Sequence, residues 1–175
     1  MMCEKYKLSK DELDRFSLQS HQRAKAATLE GAFKAEIVPI AAKMAEGPEL
    51  NEMHVADEGI RMEATLEGIS GVKVLREGGT ITAASASQIC DGASGVMVVN
   101  EKGLKSLGVK PLARIHHMTM IGGDPVIMLE APLPATHHAL KKAGMKINDI
   151  DLFEVNEAFA SVPLAWLKDT DADPA

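Results

Sequence analysis

Small and apolar residues recur at helical spacing after residue 9, and this pattern predicts a long amphipathic helix. The stripe consists of Leu13, Phe16, Ser20, Ala24 and Ala27. Ser9 and Glu12 have the spacing of a capping box, in which the serine hydroxyl and the glutamate carboxylate each accept a backbone N–H bond. Gly31 provides a typical helix end. We therefore expect one helix from about residue 9 to about residue 31.

Short apolar runs alternate with helical segments in the second half of the chain. Residues 96–99, 113–120 and 151–155 are typical of strands. Between them, the sequence predicts a helix that Asn100 caps and Gly108 ends, and another over residues 134–143 that Gly144 follows. This alternation favours a mainly parallel α/β sheet.

The first half of the chain, beyond the long helix, shows weaker patterns of secondary structure. Residues 37–40 read as a short extended piece, with a proline that suits a sheet edge. Residues 41–60 carry little periodicity and are predicted to be loop.

Composition narrows the function classes. The chain has 175 residues, 46% of them apolar, and a formal charge of −6, which suits a soluble globular domain. Without a run of Lys or Arg, nucleic acid is not an expected partner. No stretch approaches the ~20 apolar residues of a membrane span, and the start lacks the apolar core of a secretory signal. We expect a cytoplasmic protein without a membrane span.

Metal and disulfide chemistry find little support. Cys3 and Cys90 form neither a disulfide framework nor a paired metal spacing. The two adjacent histidine pairs, at 116–117 and 137–138, point in different directions on a strand or a helix and do not chelate as written. No metal site is expected.

A polar segment, Asn156-Glu157-Ala158-Phe159-Ala160, follows the last predicted strand and precedes an apolar segment that suits a buried helix. An amide at the carboxyl end of a strand can face a ligand crevice and donate to a developing oxyanion. Alternatively, Asn156 caps the next helix. The position of Asn156 just before the predicted helix, taken alone, favours the role of helix cap.

The amino-acid sequences of several motifs give a second indication of the function. Asn-Glu-Ala-Phe-Ala after Leu-Phe-Glu-Val resembles the signature of the thiolases, the acyl-CoA acetyltransferases. The block at 79–94 is similar to the family's Gly-Thr-Val-Thr-Ala-Gly-Asn-Ala-Ser…Asn-Asp-Gly-Ala stretch. Further blocks occur in the family's order and at its spacing, at 9–14, 20–24, 33–39, 110–115, 124–128 and 132–136. The resemblance covers nearly the whole chain and is weakest around 41–60.

The resemblance implies an α/β, thiolase-like fold that is incomplete. Residues 1–84 would be part of the loop domain, 85–112 the end of the first thiolase half, and 113–175 the start of the second. The segment with the nucleophilic cysteine would lie before residue 1, and the Gly-His-Pro and Cys-x-Gly-Gly segments after residue 175. We expect the middle of a thiolase, with unpaired sheet edges and marginal stability or self-association.

The resemblance also implies roles for four residues. Asn156 would hold a water in the oxyanion hole that stabilises the enolate, and Ser87 would hydrogen-bond the pantetheine arm of coenzyme A. Met128 and Phe159 would line the pocket near the acyl group. The plainer alternatives are a local turn for Ser87 and ordinary core packing for the other two. Around Ser87 the wording departs from the family's: Ser85, Gln88 and Cys90 stand where Asn, Gly and Asn are usual.

The implied activity is acyl transfer between groups carried on coenzyme A, by Claisen condensation or thiolysis through a cysteine thioester. No cofactor is expected beyond the coenzyme A thioester as substrate, and the family suggests a homo-oligomer. The chain would supply the oxyanion-hole Asn156 and part of the coenzyme A groove, and alone it is expected to be inactive. The alternative is an inactive thiolase-like module that binds acyl-CoA or lipid, or packs against a partner chain.

Overall fold

The computed structural model describes residues 1–43, 46–47 and 49–174. Its helices and strands, in chain order, are α1 (Met2–Lys5), α2 (Lys10–Leu29), β1 (Ile40–Lys43), β2 (Glu49–His54), α3 (Leu66–Ser70), α4 (Glu101–Leu107), α5 (Pro132–Ala143) and α6 (Ser161–Thr170). The backbone forms two compact units. Unit 1 comprises residues 1–7, 89–157 and the residues from 161 onward, and unit 2 comprises residues 8–88 and 158–160.

Helix α2 is the main helix of unit 2, and its predicted capping box is confirmed. The Glu12 N–H donates to the Ser9 hydroxyl at 3.2 Å, and the Ser9 N–H donates to the Glu12 carboxylate at 2.7 Å. The helix ends at Leu29, and Gly31 adopts a φ of +75°, which glycine allows without steric cost. Leu13 is fully buried. The local sequence therefore sets both ends of α2.

The prediction that residues 41–60 form a loop is wrong for most of the residues that the structure describes there. Strands β1 and β2 pair antiparallel, with Ile40 opposite His54 and Lys43 opposite Glu49. The extended piece predicted at 37–40 becomes a strand only at Ile40. Side chains at most described positions of this hairpin are exposed, so no apolar alternation reveals it. Residues 44, 45 and 48 of the expected loop lie outside the described residues.

In unit 1 both predicted ends of α4 and the predicted end of α5 are confirmed. Asn100 accepts the Gly103 N–H at 2.9 Å at the start of α4, and Gly108 ends the helix with a φ of +64°. Helix α5 begins at Pro132, two residues earlier than expected, and ends at Ala143; Gly144 follows it with a φ of +69°.

Helices α5 and α6 pack together and carry the apolar interior of unit 1. The indole N–H of Trp166 donates to the Thr136 hydroxyl at 2.8 Å. The Trp166 ring lies 5.0 Å from that of Phe153, centroid to centroid, at a tilt of 60°. Val162, Ala165 and Trp166 are buried, which confirms the buried helix expected after the Asn-Glu-Ala-Phe-Ala segment.

The three predicted strands of the second half are wrong as hydrogen-bonded strands. Within the described ranges, residues 96–99, 113–120 and 151–155 form no ladder, and β1–β2 is the one ladder present. A strand needs the N–H and C=O groups of a neighbour, and the described chain offers these runs none. Their apolar side chains stay exposed as a result, Val96 and Met120 by 89% and 95%.

Among the described residues, no helix combines the length and the apolar character needed to cross a bilayer.

Candidate functional site

Two of the predicted site residues lie on adjacent segments of unit 2. The Ala160 N–H donates to the Ser85 carbonyl oxygen at 2.9 Å, and the Ser87 N–H donates to the Ala158 carbonyl oxygen at 3.1 Å. These bonds form an isolated antiparallel bridge in which Ala86 faces Phe159. The Ser87 and Phe159 segments, distant in sequence, are thus in direct contact.

A closed turn precedes this bridge. The Ser85 hydroxyl accepts the Thr82 N–H at 3.0 Å and donates to the Thr82 carbonyl oxygen at 3.2 Å. Both side chains are buried. In the sequence, Ser85 is notable only because it stands where the family usually has Asn. The signal that could have found it is the Thr-x-x-Ser spacing, which suits a reciprocal cap.

Ser87 itself is exposed. Within the described part of the chain its hydroxyl makes no hydrogen bond, so the local serine turn offered as an alternative is not formed. The neighbouring Gln88 ties down a nearby loop: its amide donates to the Gly59 carbonyl oxygen, and its own oxygen accepts from the Arg61 guanidinium at 3.4 Å. The Arg61 guanidinium therefore lies beside the side chain of Gln88, the residue that follows Ser87.

Asn156 is exposed and lies in unit 1, in a segment without helix or strand. The helix-cap interpretation is wrong, because α6 begins only at Ser161. Among the described residues no group hydrogen-bonds the Asn156 side chain, so its NH2 is available to a ligand or a water. Whether it acts at an oxyanion stays a prediction.

Met128 lies at the end of a tight turn in unit 1. The Asp124 carboxylate accepts the Val126 N–H at 2.7 Å, and the Met128 N–H donates to the Asp124 carbonyl oxygen at 2.7 Å. Met128 has a φ of +27°, a strained conformation for a residue with a side chain. It is 64% exposed, so the plain-core alternative is wrong for Met128. Phe159 is half-buried, and for it that alternative stays open.

Glu130 fixes the far end of the same turn. Its carboxylate accepts from the Lys5 ammonium at 2.5 Å and from the Tyr6 hydroxyl at 3.0 Å. The hydrogen bond from Lys5 lowers the pKa of Glu130, and the same bond raises the pKa of Lys5. Burial, followed by the bond to Glu130, raises the pKa of Tyr6. This cluster could not be predicted from local sequence patterns, because Lys5 and Tyr6 lie more than 120 residues from Glu130 in the chain.

The cysteines and histidines occupy separate places. Cys90 is exposed and Cys3 is half-buried. His137 on α5 pairs with Asp169 on α6 at 2.6 Å. Across residues 1–43, 46–47 and 49–174, no group of three His, Cys, Asp or Glu side chains has the arrangement of a metal site.

Comparison with protein families gives two matches that together span most of the chain. The family model described as "Thiolase, N-terminal domain" matches residues 1–102, and that described as "Thiolase, C-terminal domain" matches residues 109–175. Among relatives, a steroid 3-ketoacyl-CoA thiolase of Mycobacterium tuberculosis is 49% identical over 175 residues, which are 100% of this chain and 41% of that protein. A 3-ketoacyl-CoA thiolase of Cronobacter sakazakii is 44% identical over 97% of this chain and 44% of its own length.

Solved structures give the same result for the fold. Human mitochondrial 3-ketoacyl-CoA thiolase aligns with a TM-score of 0.85 at 40% identity, over 98% of this chain and 43% of that one. The acetyl-CoA acetyltransferase of Bacillus anthracis aligns with a TM-score of 0.87 at 36% identity, over the same shares. The partial thiolase-like α/β fold implied by the sequence is confirmed, and the chain spans less than half the length of these relatives.

Proposed function

Because the chain belongs to the thiolase family, we propose that it supplies part of an acyl-transfer site that works on acyl groups carried by coenzyme A. Asn156 is the amide donor of an oxyanion hole, and Ser87, Met128 and Phe159 form part of the coenzyme A and acyl groove. The observation that carries the proposal is the pair of backbone hydrogen bonds between the Ser87 and Phe159 segments. The names of the relatives, 3-ketoacyl-CoA thiolases, suggest the substrate class.

The chemistry requires groups beyond these residues. In such a reaction a cysteine thiolate takes the acyl group as a thioester, and a second cysteine moves the α-proton. Asn156 suits the remaining task, because a neutral amide can donate where the enolate's negative charge develops. Losing one such donor typically costs about 3 kcal/mol of transition-state stabilisation. Neither Cys3 nor Cys90 lies in a family cysteine motif, so we propose that the 175 residues alone are inactive.

The segment assignment is also a proposal: loop domain over 1–84, first half over 85–112 and second half over 113–175. We further propose that the protein works in the cytoplasm and that it forms a homo-oligomer, the latter because the family resemblance suggests it.

Calorimetric titration of the purified chain with coenzyme A tests the groove. We expect binding by the wild type and a dissociation constant about fivefold higher for Ser87→Ala, the loss of roughly one hydrogen bond. The matched control is Ser106→Ala, a change at an exposed position of α4, and it should bind like the wild type. Equal affinity of Ser87→Ala and wild type would remove Ser87 from the site.

A second titration, with acetoacetyl-CoA, tests Asn156. The wild type should bind this thioester more tightly than free coenzyme A, because the amide can donate to its carbonyl oxygen through the water that it holds. Asn156→Ala should reduce that difference, while Asn51→Ala, at an exposed position of β2, should leave it unchanged. An undiminished difference in Asn156→Ala would count against the oxyanion role. Thiolysis of acetoacetyl-CoA by the lone chain would overturn the proposed inactivity.

One observation favours the second candidate, an inactive module that binds acyl-CoA or lipid or packs against a partner chain. Unit 1 exposes many apolar side chains between residues 89 and 128, among them Ile89, Leu112 and Met120, more than a free surface usually carries in one stretch. Sedimentation equilibrium over a range of concentrations tests association. A monomer at every concentration, with no affinity for coenzyme A, would count against both self-association and a coenzyme A groove retained in this chain.

A further inference from the structure

We propose that Ser85 is a positioning residue that sets the register between the segment carrying Ser87 and the segment carrying Phe159. The inference rests on the proposed function, because it takes Ser87 to be part of the coenzyme A groove. Ser85 is only 3% exposed, so it acts through its neighbours and not by touching the ligand.

The hydroxyl of Ser85 closes a turn on Thr82. It accepts the Thr82 N–H and donates to the Thr82 carbonyl oxygen, at 3.0 and 3.2 Å. Thr82 is fully buried, so water cannot take the place of the hydroxyl at no cost. A buried N–H that loses its acceptor is unfavourable, and the hydroxyl therefore keeps the turn Ala83–Ser85 closed.

The backbone of Ser85 is bonded to the other segment. Its carbonyl oxygen accepts the Ala160 N–H at 2.9 Å, and two residues later the Ser87 N–H donates to Ala158. In an extended pair, a slip of one residue turns every side chain to the opposite face. The closed turn fixes the direction in which residues 86 and 87 leave it. Ser85 thereby determines on which face of the two bridged segments the side chains of Ser87 and Phe159 lie.

The turn is itself held in place within unit 2. Thr82 forms an isolated antiparallel bridge with Val74, and the Leu75 N–H donates to the Ile81 carbonyl oxygen at 2.9 Å. Helix α2 also packs against the turn. Ser85 therefore connects a fixed part of unit 2 to the segment that carries Phe159. The family motif usually has Asn at this position. The turn closed by a serine hydroxyl is therefore expected only in chains that have serine here.

The test combines amide hydrogen exchange by NMR with coenzyme A titration of the full chain. Ser85→Ala should speed exchange at the amides of Ser87 and Ala160 by about tenfold relative to those of α5, and should raise the dissociation constant for coenzyme A several-fold. Ser85→Thr keeps the hydroxyl and should restore both values. A purely structural role would instead raise exchange across all of unit 2.

Unchanged exchange at Ser87 and Ala160, or a uniform rise over residues 8–88, would overturn the inference. Where Ser87→Ala does weaken coenzyme A binding, a local rise in exchange with an unchanged dissociation constant for Ser85→Ala would overturn it as well. If Ser85→Ala does not fold, Ser85→Cys keeps the size and weakens the hydrogen bonds, and smaller changes of the same kind are expected. Failure of the proposed function shows separately: Ser87→Ala would then bind as the wild type does, while the exchange data still decide the register.

Discussion

The indole hydrogen bond of Trp166 offers a sharp test of how α5 and α6 are held together. Thr136→Val replaces the hydroxyl that accepts this bond at 2.8 Å with a methyl group of similar size. Trp166 is 4% exposed, so its N–H cannot turn to water without local rearrangement. A buried donor without an acceptor costs about 1–3 kcal/mol.

Urea unfolding followed by tryptophan fluorescence measures this cost, since Trp166 is the chain's single tryptophan. A loss of about 2 kcal/mol, divided by an m-value of roughly 2 kcal/mol/M, lowers the unfolding midpoint by about 1 M. Thr136→Ser keeps the hydroxyl and should unfold close to the wild type.

Thr170→Val is the matched control. The Thr170 hydroxyl donates to the Trp166 carbonyl oxygen at 2.8 Å, as the Thr136 hydroxyl donates to that of Pro132 at 2.8 Å. Both substitutions remove such a bond, but only Thr136→Val leaves an N–H donor without its acceptor. The midpoint shift should therefore be larger for Thr136→Val. Equal shifts in the two variants would refute the reasoning.

Three further predictions concern stability, measured by urea unfolding with far-UV circular dichroism. Leu13→Ala, at a fully buried position of α2, should cost about 2–5 kcal/mol, and Leu29→Ala, at an exposed position of the same helix, under about 0.5 kcal/mol; equal costs would contradict the burial. Ser9→Ala should cost about 1 kcal/mol, because the capping box is lost, and no change would mean that the box is not formed. The bond from Lys5 holds the pKa of Glu130 below its usual 4.5, so ionised Glu130 contributes stability above that pH and loses it as the pH falls through the lowered value. The difference between wild type and Glu130→Gln should be constant near neutral pH and shrink on acidification, and a difference independent of pH would exclude the ion pair as its source.

Helix ends were predictable from the sequence because their determinants are local. Ser9 with Glu12 at the start of α2, and Gly108 at the end of α4, act on backbone groups within a few residues of themselves. The thiolase-like wording likewise gave the fold class, and the structural neighbours confirm it.

The strand predictions show where local pattern is insufficient. The apolar run at 96–99 has the composition of a buried strand, yet the described chain gives it no ladder, while the exposed hairpin β1–β2 forms without any apolar alternation. A ladder is a property of two segments, and a single segment's periodicity reports burial rather than pairing.

By itself, the sequence determined which residues cap the helices and which motifs carry the thiolase resemblance. Only the tertiary structure decided that Asn156 stands five residues before α6, that the Ser85 carbonyl oxygen accepts the Ala160 N–H, and that the Glu130 carboxylate accepts from Lys5. The physical reason is the range of the interactions: a cap is complete within one helical turn, whereas each of these placements depends on how the chain leaves a turn or brings distant segments together.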